Sequence, residues 1–240
     1  MCTISLTPVL GNSNGFILTS NRDEASQRQT FPPDFKLVNG TRLLFPEDAV
    51  AGGSWIGLSE KKRVLCLMNG GFIAHKRREN YRKSRGVVLK DWLVADTIKS
   101  EIENYNLDNI EPFTLIIADW SSGLFFAEFV WDGEVKHFKE LPPEPHIWSS
   151  SPLYTSAMKK LREKWFSELK HKKSLSAENL WEFHHKAGQG DKEVDLIIDR
   201  GFLKTKSISQ VEFLAGKLKF IYEDLEKGKI TRTEFPASLI

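Results

Sequence analysis

Cysteine is nearly absent: Cys2 and Cys66 are the two in 240 residues. With no CxxC and no Cys/His pair at ligand spacing, neither a disulfide framework nor a structural zinc site is supported, and a reducing compartment fits best. Net charge is equally thin, +2 from 34 basic against 32 acidic residues, so nothing global argues for nucleic acid or a membrane surface. Long apolar runs are missing, and no stretch approaches the ~18 apolar residues of a membrane span. The N-terminus also lacks a charged segment followed by an apolar run and a small-residue cleavage site. These absences predict a cytoplasmic chain with no membrane span and no nucleic-acid partner. There is no P-loop, no GxGxxG after a strand, no HExxH and no internal repeat, and no cofactor or metal is expected. Asn39-Gly40-Thr41 has the form of a glycosylation acceptor, but without secretion it reads as a turn.

What is present suits an ordinary globular chain: 40% hydrophobic and 28% charged residues predict one domain over 1–240 with ample material for a core. Thr3 to Leu10 and Phe16 to Ser20 read as a hairpin around Gly11-Asn12-Ser13-Asn14-Gly15. Ala51 to Leu58 and Arg63 to Asn69 read as further strands, as do Phe113 to Ala118, Leu124 to Trp131 and a short strand after Glu134. Ser84 is placed to cap a helix from about Arg85 to Tyr105. A second helix is expected from about Leu153 to His171, with Tyr154, Met158, Leu161, Trp165 and Leu169 as its core stripe. A third spans about Ala177 to Ala187, where adjacent His184 and His185 diverge by about 100° and read as structural or exposed. Ser207 to Ala215 and Lys217 to Tyr222 form a closing hairpin, followed by a polar tail. Strand pairs at both ends with helical regions between predict an α+β layered sandwich of two antiparallel sheets.

The chemistry is concentrated at the start. A cysteine directly behind the initiator methionine becomes the first residue once that methionine is trimmed, and its thiol and free α-amine then share one residue. An N-terminal amine titrates near pH 8, low enough to take a thiol proton, so nucleophile and base arrive together. Position alone also allows Cys2 to be a small apolar residue opening a strand. Asn21-Arg22-Asp23-Glu24 ends the second strand, and antiparallel pairing returns that end to the start of the first, which brings Arg22 and Asp23 near Cys2. Such residues commonly mark a solvated rim, but a carboxylate there orients an ammonium and a guanidinium binds an acidic group. Successive side chains alternate faces, so only one of the two faces Cys2. Asn69, followed by Gly70-Gly71, has the form of an oxyanion donor, although a plain turn accounts for it equally. Lys76, Arg77, Arg78, Arg82 and Lys83 form a basic run without aromatic interleaving and read as a solvated loop. Cys66, between Leu65 and Leu67, reads as packed and unreactive.

Taken in order, Met1-Cys2, Ser20-Asn21-Arg22-Asp23-Glu24, Gly52-Gly53-Ser54-Trp55-Ile56-Gly57, Leu67-Met68-Asn69 and Ser84-Arg85-Gly86 resemble the NRDE family, also called the Transport and Golgi organisation 2 family. The resemblance is specific over roughly the first ninety residues. It implies the four-layer αββα fold of N-terminal nucleophile hydrolases, with a more distant likeness to cysteine amidases. It makes Cys2 the nucleophile, its amine the base, Asp23 a carboxylate partner, Arg22 the guanidinium beside the thiol and Asn69 an oxyanion donor. Asn21, Ser150 and Lys206 fall at substrate-binding positions; Ser150 stands where relatives carry asparagine, and Lys206 near where they carry arginine. The implied activity is hydrolysis of non-peptide C–N amide bonds of a small molecule through an acyl-enzyme on Cys2. The alternative it implies is a non-catalytic binding or trafficking protein for haem or lipid, using the same cleft.

Overall fold

A computed structural model describes residues 2–9, 11 and 15–236, with Cys2 described through its backbone. The turn expected around 12–14 and the last residues of the polar tail lie outside the described residues. The chain opens on β1 (Cys2–Pro8) and β2 (Phe16–Ala25), then runs through β3 (Thr30–Val38), β4 (Thr41–Asp48), β5 (Ile56–Ser59) and β6 (Arg63–Asn69). Two helices follow, α1 (Arg85–Val94) and α2 (Ile98–Asn104), and then β7 (Phe113–Asp119), β8 (Phe125–Trp131), β9 (Lys136–Leu141) and β10 (His146–Ser149). The remainder is α3 (Ser156–Lys172), α4 (Ala177–Lys186), β11 (Leu203–Leu214), β12 (Lys217–Asp224) and β13 (Lys229–Phe235). No helix among the described residues is long and apolar enough to cross a membrane.

These elements fall into two compact units. The first joins Met1–Arg28 to Pro143–Ser238, and the second is built on Gln29–Pro142. The first unit holds an antiparallel sheet in the order β10-β1-β2-β11-β12-β13, so both ends of the chain share one sheet, with α3 and α4. The second holds the meander β3-β4-β5-β6-β7-β8-β9, with α1 and α2. Strands joined by short loops pair with their sequence neighbours, which is why the meander keeps chain order.

Local chemistry explains several boundaries. Asn39 and Gly40 both take positive φ, 47° and 78°, in the two-residue loop of the β3–β4 hairpin, a mirror-image turn that asparagine and glycine adopt most readily. Pro32 and Pro33 interrupt the β3–β4 ladder between Phe31 and Asp34, and they are tolerated because β3 is an edge strand. The helix expected from Arg85 to Tyr105 is instead two helices. Arg63, fully buried, binds Asp119 at 3.0 Å and donates to the carbonyls of Trp92, Ala95 and Asp96 at 3.3, 2.7 and 3.1 Å. A guanidinium that satisfies the last carbonyls of α1 ends it there. The sequence between His146 and Ser149 was expected only to lead into a helix, but it forms β10 against β1. The expected polar tail after Tyr222 contains β13, paired along its length with β12; its lysine and arginine suit an edge strand, and they disguised it as loop.

The second unit's core is apolar and continuous. Leu89, Trp92 and Leu93 of α1 pack on Leu43, Phe45, Leu65, Leu67, Phe113, Leu115 and Phe129 of the sheet, and the Trp92 and Phe129 rings meet edge-on at 4.9 Å. Glycines let the helix approach. A Cβ on Gly53 would lie 2.7 and 2.8 Å from the carbonyl carbon and Cα of Gly86, and one on Gly86 would lie 2.7 Å from the backbone nitrogen and oxygen of Ser54. A Cβ on Gly57 would meet Leu93 at 2.6 Å. The Gly-Gly-Ser-Trp-Ile-Gly and Ser-Arg-Gly segments are therefore one packing joint, in which Ser84 caps α1 by accepting from the Val87 N–H.

This joint predicts that Gly53→Ala and Gly86→Ala each destabilise the protein by about 1–3 kcal/mol, because backbone atoms cannot yield to the added methyl. Gly40→Ala, with nothing within 4 Å of its Cβ, should cost only the positive-φ strain, about 1 kcal/mol. Urea unfolding midpoints of the three variants measure the order.

Candidate active site

The site residues expected from sequence, apart from Asn69, lie in the first unit. Strand β2 carries the decisive group. It does not end in a solvated rim at Ser20: it continues to Ala25, and Asn21, Arg22 and Asp23 are all buried, at 0, 3 and 0% exposure. Flanked by β1 and β11, it sends alternate side chains to opposite faces. The face of Ile17, Thr19, Asn21 and Asp23 meets the helical layer: Ile17 packs with Phe166, Leu180 and Phe183. Arg22 lies on the other face, with Glu24 at 3.7 Å. The ladder register places Cys2 opposite Arg22 and Ser207 on its other flank. The expected proximity of Arg22 to Cys2 is thus met along the backbone, and the side chain of Cys2 lies outside the described residues.

Asp23 is held from two sides. Tyr154 Oη donates to one carboxylate oxygen at 2.5 Å and Thr205 Oγ1 to the other at 2.7 Å. Burial pushes the Asp23 carboxyl above its ordinary range, while the amino-terminal positive charge and these two donors pull it back. Burial and the neighbouring carboxylate push the Tyr154 hydroxyl well above its usual range, so it remains a donor. The guanidinium of Arg162 stacks on the Tyr154 ring at 3.5 Å and donates to Thr3 Oγ1 at 2.6 Å and to the carbonyls of Val194 and Asp195. Sequence reading missed this hub, since it placed Leu161 and Trp165 in the core stripe of α3. The fully buried residues of that helix are Arg162 and Phe166; an arginine at the centre of a buried face gives no apolar signal.

Asn21 has its carboxamide fully committed. Its NH₂ donates to the carbonyls of His184 and Leu196 at 3.0 and 2.9 Å, which leaves its oxygen to accept from Nδ1 of His184. That assignment sets the tautomer: His184 carries its proton on Nδ1 and accepts at Nε2 from the Ser5 hydroxyl, 2.8 Å away. Ser5, His184 and Asn21 form a buried chain that fixes α4 on the sheet, so Asn21 positions rather than presents. His184 was read as structural or exposed, and it is structural and fully buried. His185, its neighbour, pairs with Glu223 at 2.7 Å.

Ser150 is buried with its hydroxyl unbonded among the described residues, and its carbonyl accepts from the N–H of Tyr154 at 3.1 Å, closing the turn that delivers Tyr154. Lys206 is the extra residue of a bulge between Thr205 and Ser207, and its ammonium is held by the Ser26 carbonyl and Glu226. Asn69 ends β6 in the second unit, half-buried. In contrast to Asn21, its carboxamide makes no hydrogen bond among the described residues. Gly70, at φ 85°, and Gly71 follow it. Cys66 is fully buried in β6. Among the described residues no three His, Cys, Asp or Glu side chains are placed to hold one metal ion.

Solved structures share this architecture. The chain is similar to the mutant C2A conjugated bile acid hydrolase from Clostridium perfringens, with a TM-score of 0.54 at 11% identity over 98% of this chain and 92% of that one. It is similar to penicillin V acylase from Agrobacterium tumefaciens, with a TM-score of 0.56 at 11% identity over 98% and 86%. A Caenorhabditis elegans N-acylethanolamine-hydrolyzing acid amidase ortholog gives a TM-score of 0.52 at 12% identity over 98% and 100%. At such identities the likeness is one of fold, and it defines the class: an α+β protein with two antiparallel sheets, the fold of proteins named as a hydrolase, an acylase and an acid amidase. The model for Transport and Golgi organisation 2 matches residues 1–211, and the chain belongs to that family. Homologs from Mus musculus and Bos taurus are each 30% identical over 125 residues, 48% of this chain and 42% of the relative. The match therefore spans less than half the length of those relatives.

The His184 chain generates a pH prediction. Burial pushes the His184 pKa down to about 3, against an ordinary value of 6.5. The unfolded chain therefore binds the extra proton between those values, so stability is full above about pH 6.5 and falls as the pH drops toward 3. Thermal melts from pH 7 to pH 4 should show this decline, and His184→Gln, which cannot be protonated, should flatten it while lowering stability at neutral pH.

Proposed function

We propose that this protein hydrolyses a non-peptide C–N amide bond of a small molecule through an acyl-enzyme on Cys2, in the cytoplasm. The observation that carries the reading is the ladder register that sets Cys2, at the head of β1, opposite buried Arg22. Asp23 follows on the opposite face, locked under Tyr154 and Thr205. The fold relatives named as a hydrolase, an acylase and an acid amidase support the reaction class.

With Met1 removed, the α-amine of Cys2 takes the thiol proton and the sulfur attacks the amide carbon. Asn69 supplies the oxyanion donor, the role the family resemblance assigns it and one its uncommitted carboxamide suits. The C–N bond breaks as the ammonium returns its proton to the leaving nitrogen. Water, deprotonated by the same amine, then cleaves the thioester and restores the thiol. Arg22 serves as the cation beside the thiol. Asp23, whose carboxylate is bound by Tyr154 and Thr205, holds the strand end and its charge in place.

Intact mass of the expressed protein should correspond to a chain starting at Cys2. Limited alkylation at neutral pH should label Cys2 before the fully buried Cys66. In a screen of N-acyl amides and amino-acid amides, Cys2→Ala should abolish turnover. Asn69→Ala should lower kcat by about 10²–10³-fold with little change in KM. Turnover that survives in Cys2→Ala would sink the nucleophile assignment, and saturable haem binding without any turnover would establish the carrier reading in its place.

A further inference from the structure

The basic run Lys76 to Lys83 was read as a solvated loop, and its structure is more specific. Residues 70–83 leave β6 and arch over a cavity of about 520 Å³, within the range of small-molecule sites, roughly 300–1,000 Å³. Both ends of the arch are fastened to the segment that enters β7. Gly70 N–H donates to the Pro112 carbonyl at 2.9 Å and Arg82 N–H to that of Asn109 at 2.8 Å. The Arg82 guanidinium binds the carbonyls of Asn106 and Asp108, and His75 and Arg85 both reach Glu111, at 3.2 and 3.1 Å. Gly71 presses against the β8–β9 turn, where an added Cβ would lie 3.2 Å from Asp132 Cα. The cavity is therefore framed by fixed backbone.

Its walls are apolar and cationic together. Phe72 and Ile73 are 57 and 79% exposed, and Phe72 is steadied edge-on by His137 at 4.9 Å. Tyr81 is tied to the arch by accepting from the Arg78 N–H at 3.1 Å. The cations divide into two sets. Arg82, Lys83 and Arg85 are committed to carbonyls or carboxylates, whereas the side chains of Lys76 and Arg78, both lining the cavity, make no hydrogen bond or ion pair among the described residues. Two carboxylates also line it. Asp132 is bound by the N–H groups of Glu134 and Val135 and by His137 and keeps its charge, while Glu134 makes no hydrogen bond or ion pair among the described residues, so Lys76 and Arg78 share the lining with two carboxylates and are paired with neither. A molecule that covers Lys76 and Arg78 without supplying an anion would desolvate two cations for nothing.

We propose that this cavity binds a compact organic anion with a ring-bearing apolar body, an arylalkanoate, with its ring on Phe72 and Tyr81 and its carboxylate between Lys76 and Arg78. The pairing follows the geometry of each group: an aromatic ring offers edge and face contacts to another ring, and a guanidinium fork takes a carboxylate through two oxygens. The site lies wholly within the second unit and does not depend on Cys2 acting as a nucleophile.

Calorimetric titration of the whole protein with indole-3-acetate, and in parallel with indole-3-acetamide, tests the proposal without any turnover. Saturable binding of the acid with the amide at least about tenfold weaker is the expected result. Lys76→Gln combined with Arg78→Gln should weaken the acid by about tenfold, and Phe72→Ala should weaken it as well. Glu134→Gln, which removes the opposing charge from an exposed position, should tighten it about twofold to fivefold. Failure of the acid to saturate, equal binding of acid and amide, or an affinity indifferent to Lys76, Arg78 and Glu134 together would overturn the assignment.

Discussion

Everything in the first unit depends on the two-residue repeat of side chains along β2. Because β2 lies between β1 and β11, neither of its edges is free, and both of its faces are buried from Phe16 to Asp23. Ile17, Thr19, Asn21 and Asp23 go to the helical layer, and Arg22 goes to the other face, opposite Cys2 in the ladder. The alternation separates two residues that are adjacent in sequence and gives them different work. Asp23 becomes an internal anchor for Tyr154 and Thr205, while Arg22 flanks the head of β1. A slip of one residue in the register would exchange these roles and bury the wrong charge against the helices.

The face of that sheet toward α3 and α4 is unusually polar, with Thr3, Ser5, Thr19, Asn21, Asp23 and Gln210 all at 2% exposure or less. Such a face is stable only when each group finds a partner. Arg162, Tyr154, Thr205 and His184 supply partners, and Gln210 reaches Thr19 and the Ala177 carbonyl at 3.0 Å. The consequence is directional. An apolar helix–sheet contact tolerates sliding, whereas a set of buried hydrogen bonds fixes α3 and α4 at one position and so fixes the head of β1. The second unit is built on the opposite principle, with glycines allowing α1 to lie close on an apolar sheet and one buried arginine ending the helix.

The segments that carry the family resemblance therefore divide by physical role. Gly53, Gly57 and Gly86 are a packing joint, and their spacing records the approach of α1 to β4 and β5. Asn21 is an internal tie. Asp23 is held by Tyr154 and Thr205, Arg22 lies on the other face of β2, and of Asn21 and Asn69 only Asn69 has its carboxamide uncommitted among the described residues.

The sequence by itself determined the strands and turns whose signals are local. Asn39-Gly40 marked a turn, though not the strands β3 and β4 on either side of it, Gly216 marked a hairpin turn and Ser84 a helix cap, because positive φ and capping geometry are demanded by the chain itself. It also placed Arg22 beside Cys2, since a hairpin returns one strand end to the other's start. Three features were decided only by tertiary structure. Arg63 divided one expected helix into α1 and α2 from 32 residues upstream, β13 formed because β12 offered it an edge, and the buried side chains of Arg162, Tyr154 and His184 gathered on one face of β2 and its neighbours. The first and the last rely on polar side chains that read as surface in sequence, where charge and hydrogen-bonding capacity imply water. Burial of such groups becomes favourable only when partners from distant elements arrive together, and nothing in the local order of residues announces that meeting.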